Sequence, residues 1–247
     1  MKIQAYDAYS QIASGNRINS ASKDPAGLAI SEKLNSQIKG DQKGIQNIES
    51  SQDLLNVADG SLNSILDDLG RIRELAVQAG NGMYSADDKS IIQNEINSLF
   101  KNIQDNVQNT EFNTKKLIDG SFTEQQLGVG ANGQGTQMTL QDSSLEALGL
   151  DGFSVKENFD ISDIDKAISK VTESLSEIGA KTNGLESNLN TTRVSEINQT
   201  AAKSSIADLD IAKAITNLNK QNVLDQYKMS MQKQQAEQQQ QQLGLLI

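Results

Sequence analysis

Glycines and carboxylates are the residues of this sequence whose spacing could support chemistry. Residues 128–133 fit the dinucleotide-binding spacing G-x-G-x-x-G. That spacing cradles a pyrophosphate only where a strand enters and a helix leaves. Residues 134–140 instead resemble a strand, with alternation at 137–140. We therefore interpret residues 127–140 as a glycine-rich hairpin around an Asn-Gly turn, and we predict no cofactor.

Adjacent carboxylates occur at Asp67-Asp68 and at Asp87-Asp88. Neighbouring positions on a helix do not face each other, so a solvated face explains both pairs better than acid–base catalysis does. The sequence has no His and no Cys, which excludes cysteine and histidine nucleophiles, the histidine base and most zinc or iron sites. We predict no catalytic residue and no metal site. A cytosolic enzyme that uses carboxylates alone is the alternative of a different class.

The charge and hydropathy of the chain exclude two kinds of partner. The formal net charge is −10, whereas nucleic-acid binding needs a clustered basic surface. Residues 1–10 lack the apolar core of a secretory signal, and no apolar run reaches membrane-spanning length. We therefore predict no nucleic-acid partner and no membrane insertion. If the protein leaves the cell, it does so without a cleavable signal peptide.

The elements that carry these residues are predicted to be long helices. The chain has one proline, 4% aromatic and 36% hydrophobic residues, which suits helices that each bury one stripe. Two interleaved seven-residue series between residues 44 and 79 predict a coiled-coil-type seam. The series are Ile48, Leu55, Leu62, Leu69, Ala76 and Ser51, Ala58, Ile65, Ile72, Ala79. Gly40 and Gly44 indicate a bend or stutter before the seam, and residues 80–82, which tolerate positive φ, should end the helix.

Two further helices are predicted, one over about 87–109 and one that begins near Ser162. Ser85 and Asp88 form a capping-box-like start for the first, and Asp165 lies three residues after Ser162. The apolar faces are predicted to be Ile92, Ile96, Leu99, Ile103, Val107 and Ile164, Ile168, Val171, Leu175, Ile178, Thr182, Leu185, Leu189. Apolar positions continue this last pattern to residue 224, so the helix should run on toward the C-terminus.

The predicted fold is mainly α. We expect an elongated antiparallel helical bundle, a coiled-coil-like rod, with a small β-hairpin insertion at about residues 110–156, where glycines replace the helical period. Residues 1–43 would form an N-terminal segment, residues 44–200 the rod, and residues 201–247 a C-terminal helix. The helix from 44 to 79 should pack antiparallel to the one that begins near 162.

The segment 12–30 is built to start the first long helix. Asp24 can accept hydrogen bonds from free helix N–H groups, and Pro25 suits the first helical position. The segment also resembles the N-terminal signature of bacterial flagellins, roughly SSG-x-R-I-N-S-A-x-D-D-A-A-G-x-A-I. The matching residues are Ser14, Gly15, Arg17, Ile18, Asn19, Ser20, Ala21, Asp24, Ala26, Gly27, Ala29 and Ile30.

Four later segments extend the resemblance over both ends of the chain. Residues 69–78 are similar to the flagellin pattern L-Q-R-V/I-R-E-L-A/S-V-Q, and residues 110–120 to T-x-F-N-G-x-x-L-L-x-G. Residues 206–213 are similar to R-I-x-D-A-D-I/M-A-x-E, and the end of the chain to Q-Q-V-L-x-L-L. The resemblance implies an extracellular structural subunit of the flagellar filament that is exported by the type III apparatus and self-assembles through its terminal helices.

The resemblance also implies partners: other flagellin subunits, an export chaperone, and filament cap and hook-associated proteins. We interpret the chain as a short flagellin that lacks most of the variable outer domain and part of the N-terminal inner-tube helix. A hook–filament junction protein, which shares the terminal helices, is the alternative. The glutamine-rich run 232–242 is predicted to be helical. The polymerisation and chaperone-binding tail would use Leu224, Tyr227, Met231, Leu243, Leu245 and Leu246.

Many flagellins are detected by the vertebrate innate receptor TLR5 through an arginine, a leucine and a glutamate. Those positions match Arg71, Leu75 and Glu95 here. Arg71 and Leu75 are four residues apart, so they share a helical face, and all three lie off the predicted seams. The resemblance therefore implies an exposed receptor contact with Leu75 as its apolar anchor. Stabilisation of contacts between filament subunits is the alternative role.

Overall fold

A computed structural model describes residues 2–130 and 135–244, with side chains over residues 6–130 and 135–240. Its helices are α1 (Lys2–Ser14), α2 (Pro25–Ala79), α3 (Ala86–Asn109), α4 (Leu145–Leu148), α5 (Ile161–Ala207) and α6 (Ile211–Gly244). Its strands are β1 (Glu111–Phe112), β2 (Lys115–Lys116), β3 (Gln125–Gly128) and β4 (Gly135–Met138), paired antiparallel as β1–β2 and β3–β4. The prediction of a mainly α protein with a small β insertion is confirmed. No described helix is long and apolar enough to cross a membrane.

The chain divides into two compact units. One comprises residues 1–38 with 197–247, and the other comprises residues 39–196. Both long helices, α2 and α5, contribute residues to each unit. The unit 39–196 contains α3, all four strands and α4, whereas the terminal unit contains α1 and α6.

The core of the unit 39–196 follows the predicted seams. All ten predicted seam positions of α2 are buried, from Ile48 to Ala79. On α5, the series Ile164, Val171, Ile178 and Leu185 is fully inside, while Ile168 and Leu175 are only half-buried against the core. On α3, four of the five predicted positions are buried and Leu99 is half-buried. Helical periodicity therefore placed the apolar core correctly because each helix turns the same stripe inward.

Polar pairs fix the direction of the three helices in this unit. Arg73 Nε donates to Asp165 Oδ1 at 2.7 Å, and Arg193 Nη2 donates to Glu49 Oε1 at 2.8 Å. A partner late in α5 thus matches one early in α2, so the two helices run antiparallel, as predicted. Since Asn106 Nδ2 reaches the Ser61 carbonyl at 3.3 Å while Glu95 pairs with Arg71, α3 also runs antiparallel to α2.

The starts of two helices show which side chains act as caps. Ser85 and Asp88 form the predicted capping box of α3, in which each side chain accepts from the other's backbone N–H. The prediction that α5 begins near Ser162 is confirmed, but an aspartate other than Asp165 caps it. The helix begins at Ile161, and Asp160 Oδ1 accepts from the Ser162 N–H at 2.9 Å. Asp165 instead pairs with Arg73.

The β insertion contains a hairpin that sequence periodicity did not predict. Glu111 pairs with Lys116 and Phe112 with Lys115. The connecting residues Asn113 and Thr114 have φ of 49° and 65°, as a primed two-residue turn requires. Thr114 stands where the flagellin pattern T-x-F-N-G has glycine, although a β-branched residue is strained at positive φ. The Asn-Gly turn predicted at 132–133 lies outside the described residues, but β3 and β4 flank it as expected.

Two predictions for α2 concern its glycines. The helix is continuous through Gly40 and Gly44. Gly44 lies against the backbone of the residues that follow β3. A Cβ there would lie 3.0 Å from the Val129 carbonyl oxygen, and Asn47 Nδ2 donates to the Gly128 carbonyl at 3.0 Å. The helix ends at Ala79, as predicted, although Gly80 and Gly82 are not among the positive-φ glycines. Its last turn closes through the Gly80 N–H, which donates to the Ala76 carbonyl.

Candidate functional site

The segment that carries the flagellin-like signature forms a loop in the terminal unit. Helix α1 ends at Ser14, and Gly15 follows with φ of +68°, a left-handed conformation that terminates helices at little cost only for glycine. Asn19 Nδ2 donates to Ser10 Oγ at 2.9 Å, back onto α1. The Ser20 and Ser22 hydroxyls share a hydrogen bond of 3.0 Å. The loop is therefore tied to the helix that precedes it.

The end of the loop starts α2 as the sequence predicted. Asp24 Oδ1 accepts from the Gly27 N–H at 2.8 Å, the interaction expected of a helix cap. Ile18 is buried, and its Cδ1 would lie 2.7 Å from any Cβ at residue 27. A Cβ there would also overlap the Asp24 carboxylate. The absence of a side chain at residue 27 thus leaves room for both the Asp24 carboxylate and the Ile18 side chain.

The loop binds the junction between α5 and α6. The Arg17 N–H donates to the Ala207 carbonyl at 2.7 Å, and the Leu209 N–H donates to the Gly15 carbonyl at 2.9 Å. Asn16 and Asp208 form an isolated antiparallel bridge. Arg17 Nη2 also donates to the Ile206 carbonyl at 2.5 Å. We name this contact between residues 15–17 and 206–209 the terminal clamp.

The clamp explains why the predicted continuation of α5 is wrong. The helix stops at Ala207 and α6 starts at Ile211, although apolar positions recur through the junction. The Leu209 N–H is bonded to the loop rather than to the preceding turn. Asp210 Oδ1 then accepts from the Lys213 N–H at 3.0 Å and starts α6. Aspartate is a common helix start, so Asp210 was the signal that the periodicity analysis missed.

A groove of about 460 Å³ lies beside the clamp in the same unit. Arg17, Asp208, Asp210 and Lys213 contribute charges of both signs to its wall, and Ala214 and Leu218 contribute apolar surface. Helix α1 packs against α6, and Leu218 is buried. Charged and apolar groups thus line the same groove.

Most large apolar side chains of α1 and α6 are exposed. Tyr6 is 75% exposed and Tyr227 is 62% exposed, and Leu224 and Met231 are also outside the core. Leu224, Tyr227 and Met231 follow one another by three and four residues, which places them on one face of α6. The run 232–242 is helical as predicted. Leu243 lies in the last turn of α6, outside the described side chains, and Leu245 and Leu246 lie outside the described residues.

The receptor-contact residues do not share one surface. Arg71 is half-exposed, and its Nε and Nη2 donate to Glu95 Oε1 at 3.1 and 2.8 Å, while Nη1 donates to Glu74 Oε2 at 3.0 Å. These bonds, first that to Glu95, raise the pKa of Arg71. Leu75 is only 2% exposed and belongs to the core. The expectation of an exposed Leu75 anchor is wrong, because Leu75 lies off the seam but packs in the same core cluster as residues of α2, α3 and α5.

One carboxylate of each adjacent pair has a pKa that neighbouring groups of the protein shift. Partial burial, and then the charge of Asp67, raise the pKa of Asp68. Hydrogen bonds from the Ser85 side chain and backbone lower the pKa of Asp88. Within residues 2–130 and 135–244, no cluster of three acidic side chains is arranged to hold a metal ion. The described groups with catalytic potential thus serve as caps and helix-surface charges.

Comparisons with known proteins agree on one family. The profile of the bacterial flagellin N-terminal helical region matches residues 3–123, and that of the C-terminal helical region matches residues 161–246. The chain is 34% identical to flagellin of Halalkalibacterium halodurans over 98% of its own length and 92% of the relative. It is also 34% identical to flagellin of Bacillus subtilis, over 96% of its length and 90% of the relative. A flagellar filament core protein of Treponema maltophilum is 31% identical over 90% and 85%.

Two solved structures are similar in fold. The crystal structure of Bacillus cereus flagellin superposes with a TM-score of 0.51 at 25% identity, over 60% of this chain and 88% of that one. A flagellar hook-associated protein from Vibrio parahaemolyticus gives a TM-score of 0.61 over 75% of this chain and 100% of that one. At 16% identity the second likeness concerns the fold alone.

Proposed function

We propose how this chain, which belongs to the bacterial flagellin family, joins a filament. Its function is that of a structural subunit of the flagellar filament, which polymerises with other flagellin subunits. The alternative of a hook–filament junction protein has fold similarity alone in its favour. We propose that assembly covers the exposed apolar faces of α1 and α6.

The observation that carries this proposal is the stripe of Leu224, Tyr227 and Met231 on α6. These residues stay in water in the single chain, and exposed apolar surface of this extent favours association. Tyr6 and Tyr9 offer similar surface on α1. The unit 39–196 has its own core, so assembly through α1 and α6 would leave that core unchanged.

Two changes test the proposal in filament reconstitution from purified protein. Deletion of residues 232–247 should leave a folded, soluble protein that forms no filaments. Replacement of Leu224, Tyr227 and Met231 by Ser should have the same effect, whereas Asn222→Ser with Gln226→Ser, on the remaining surface of α6, should not. Circular dichroism confirms folding, and electron microscopy counts filaments. Normal filaments from the triple variant would contradict the role of the stripe.

We propose further that the protein is exported by the flagellar type III apparatus and resides outside the cell. Family membership supports this route, and the same α6 stripe is the surface for an export chaperone. Filament cap and hook-associated proteins would meet the subunit at the filament ends. Shearing the cells should release the protein into the supernatant, and a strain without a working export apparatus should retain it. Retention in lysate of the intact strain would contradict export.

We propose that the protein has no enzymatic role. Its relatives are structural proteins. Asp88 forms the capping box of α3 with Ser85, and Asp68 is partly buried beside Asp67. A purified sample would be expected to show no hydrolase activity that depends on Asp67, Asp68, Asp87 or Asp88. An activity abolished by Asp68→Asn in a folded variant would overturn this.

We propose that TLR5 recognises Arg71 and Glu95 and that Leu75 does not act as an anchor. Arg71 and Glu95 form one half-exposed pair, and three of the five guanidinium N–H donors are used within the chain. We expect Arg71→Ala to weaken monomer binding by about 1–3 kcal/mol, as at other binding hot spots. Lys101→Ala, exposed on α3, is the control. Unchanged affinity of a folded Arg71→Ala protein in a direct binding assay would refute the proposal.

A further inference from the structure

The turn between α2 and α3 carries the dipeptide Asn81-Gly82, whose surroundings differ from those of a second Asn-Gly pair at 183–184. Asn81 and Gly82 are exposed, and a Cβ built on Gly82 would meet no atom within 4 Å. Asn183 and Gly184 lie inside α5. Among the residues that the structure describes, the same chemical pair thus occurs once in an open turn and once in a long helix.

Hydrogen bonds hold the Asn81 side chain over the following peptide. Asn81 Oδ1 accepts from the Met83 N–H at 3.1 Å, which folds the side chain back along its own backbone as in an Asx turn. That contact also polarises the amide carbonyl. Within the described residues, the Gly82 N–H donates to no acceptor. Asn81 and Gly82 are both exposed, so the Gly82 nitrogen has no hydrogen bond to break before it attacks the side chain.

We propose that Asn81-Gly82 is a site of spontaneous deamidation. The deprotonated Gly82 nitrogen attacks Cγ of Asn81, a new C–N bond forms, and the side-chain nitrogen leaves as ammonia. Water then opens the resulting succinimide. Cleavage of the Cγ–N bond gives aspartate, and cleavage of the bond between the main-chain carbonyl carbon and nitrogen gives isoaspartate. The net reaction exchanges NH₂ for OH from water, with no oxidation or reduction.

Helix α5 protects the second pair. Each peptide N–H in the interior of a helix is bonded to the carbonyl four residues earlier, and the backbone must open locally before Gly184 nitrogen can reach the Asn183 side chain. Of these two pairs, the one in the turn is therefore the one that gains a negative charge as the protein ages, and its isoaspartate form lengthens the backbone that joins α2 to α3.

Peptide mass spectrometry of the full chain tests the site. Trypsin separates the pairs into residues 74–89 and 182–193, so one digest reports both after incubation of the folded protein in mildly alkaline buffer. We expect deamidation of 74–89 to exceed that of 182–193 by on the order of tenfold or more, because the helix must open first. Chromatography should resolve aspartate from isoaspartate in 74–89.

Two controls make the result decisive. In concentrated urea both peptides should react at similar rates, because the helix is then absent. Gly82→Ala, which adds a methyl group into open space, should slow deamidation of 74–89 strongly while the protein remains folded. Equal rates for the two peptides in the folded protein would overturn the proposal. So would an intact 74–89 under conditions where urea-treated 182–193 reacts.

Discussion

Gly44→Ala and Gly60→Ala make the same change in the same helix and should have opposite effects on stability. Both glycines lie inside α2 within the unit 39–196. Alanine is more favourable than glycine in a helix interior by about 1 kcal/mol. At Gly60 nothing lies within 4 Å of the new Cβ, so the full gain should appear.

At Gly44 the new methyl group meets backbone. It would lie 3.0 Å from the Val129 oxygen, 3.1 Å from the Val129 carbonyl carbon and 3.3 Å from the Gly130 nitrogen. Overpacking of this kind typically costs about 1–3 kcal/mol. Displacement of the hairpin would also weaken the Asn47–Gly128 hydrogen bond, for about 1 kcal/mol more. Subtracting the helix gain leaves a net loss of about 1–3 kcal/mol.

Urea unfolding followed by circular dichroism measures both variants, and hydrogen exchange localises the change. Gly60→Ala should move the midpoint upward and Gly44→Ala downward. Amides of residues 125–128 and 135–138 should exchange faster only in Gly44→Ala. Gly70→Ala, which also has open space at its Cβ, is a second control. Equal stabilisation by Gly44→Ala and Gly60→Ala would show that the hairpin does not press on α2.

Three further changes test other local interactions. Thr114→Gly should raise the unfolding free energy by about 1 kcal/mol in denaturant titration, because φ of 65° is strained for a side chain with a Cβ; a loss of stability would contradict that strain. Gln93→Leu should cost about 1–3 kcal/mol, since the buried Val155 N–H loses the acceptor that now lies 2.7 Å away, whereas the exposed Gln104→Leu should change little. Asp88→Asn should destabilise α3 at neutral pH. The hydrogen bonds from Ser85 lower the pKa of Asp88 in the folded protein below its ordinary value of 3.8. The stability that the Asp88 carboxylate contributes is therefore complete above pH 3.8 and is lost as the pH falls through the folded-state pKa. A difference between Asp88→Asn and the parent chain that persisted unchanged at lower pH would contradict this origin.

Sequence periodicity predicted the long helices and their buried faces because a helix repeats one geometric rule for many turns. The burial of the seam from Ile48 to Ala79 could be predicted from the spacing within α2 alone, without knowing which elements pack against it. Leu75 was misassigned because it lies off the seam and yet belongs to the core that residues of several elements share. The Asn113-Thr114 turn was missed because a residue with a Cβ adopts positive φ there, where the expected turn signal is glycine.

The segment 12–30 likewise has one feature that local rules predict and another that they do not. Asp24 and Pro25 predicted the start of α2 from local rules alone. The partners of Arg17 lie on residues 206 and 207, and a break in α5 at a point where apolar spacing continues cannot be inferred from spacing. Family resemblance marked the Arg17 segment and the 206–213 segment as important, but the structure was needed to bring them together.

The terminal clamp also sets an order of events during synthesis. The Arg17 side chain and its Ile206 partner are separated by 189 positions along the chain. At about 5–20 residues per second, a ribosome needs on the order of 10–40 s to bridge that interval. Throughout it, residues 15–17 lack their partners at 206–209, while α3 and the hairpins can already form from nearby sequence. Closure of so large a loop is entropically costly and slow, so the joint between α5 and α6 is expected to be the last part of the chain to become native.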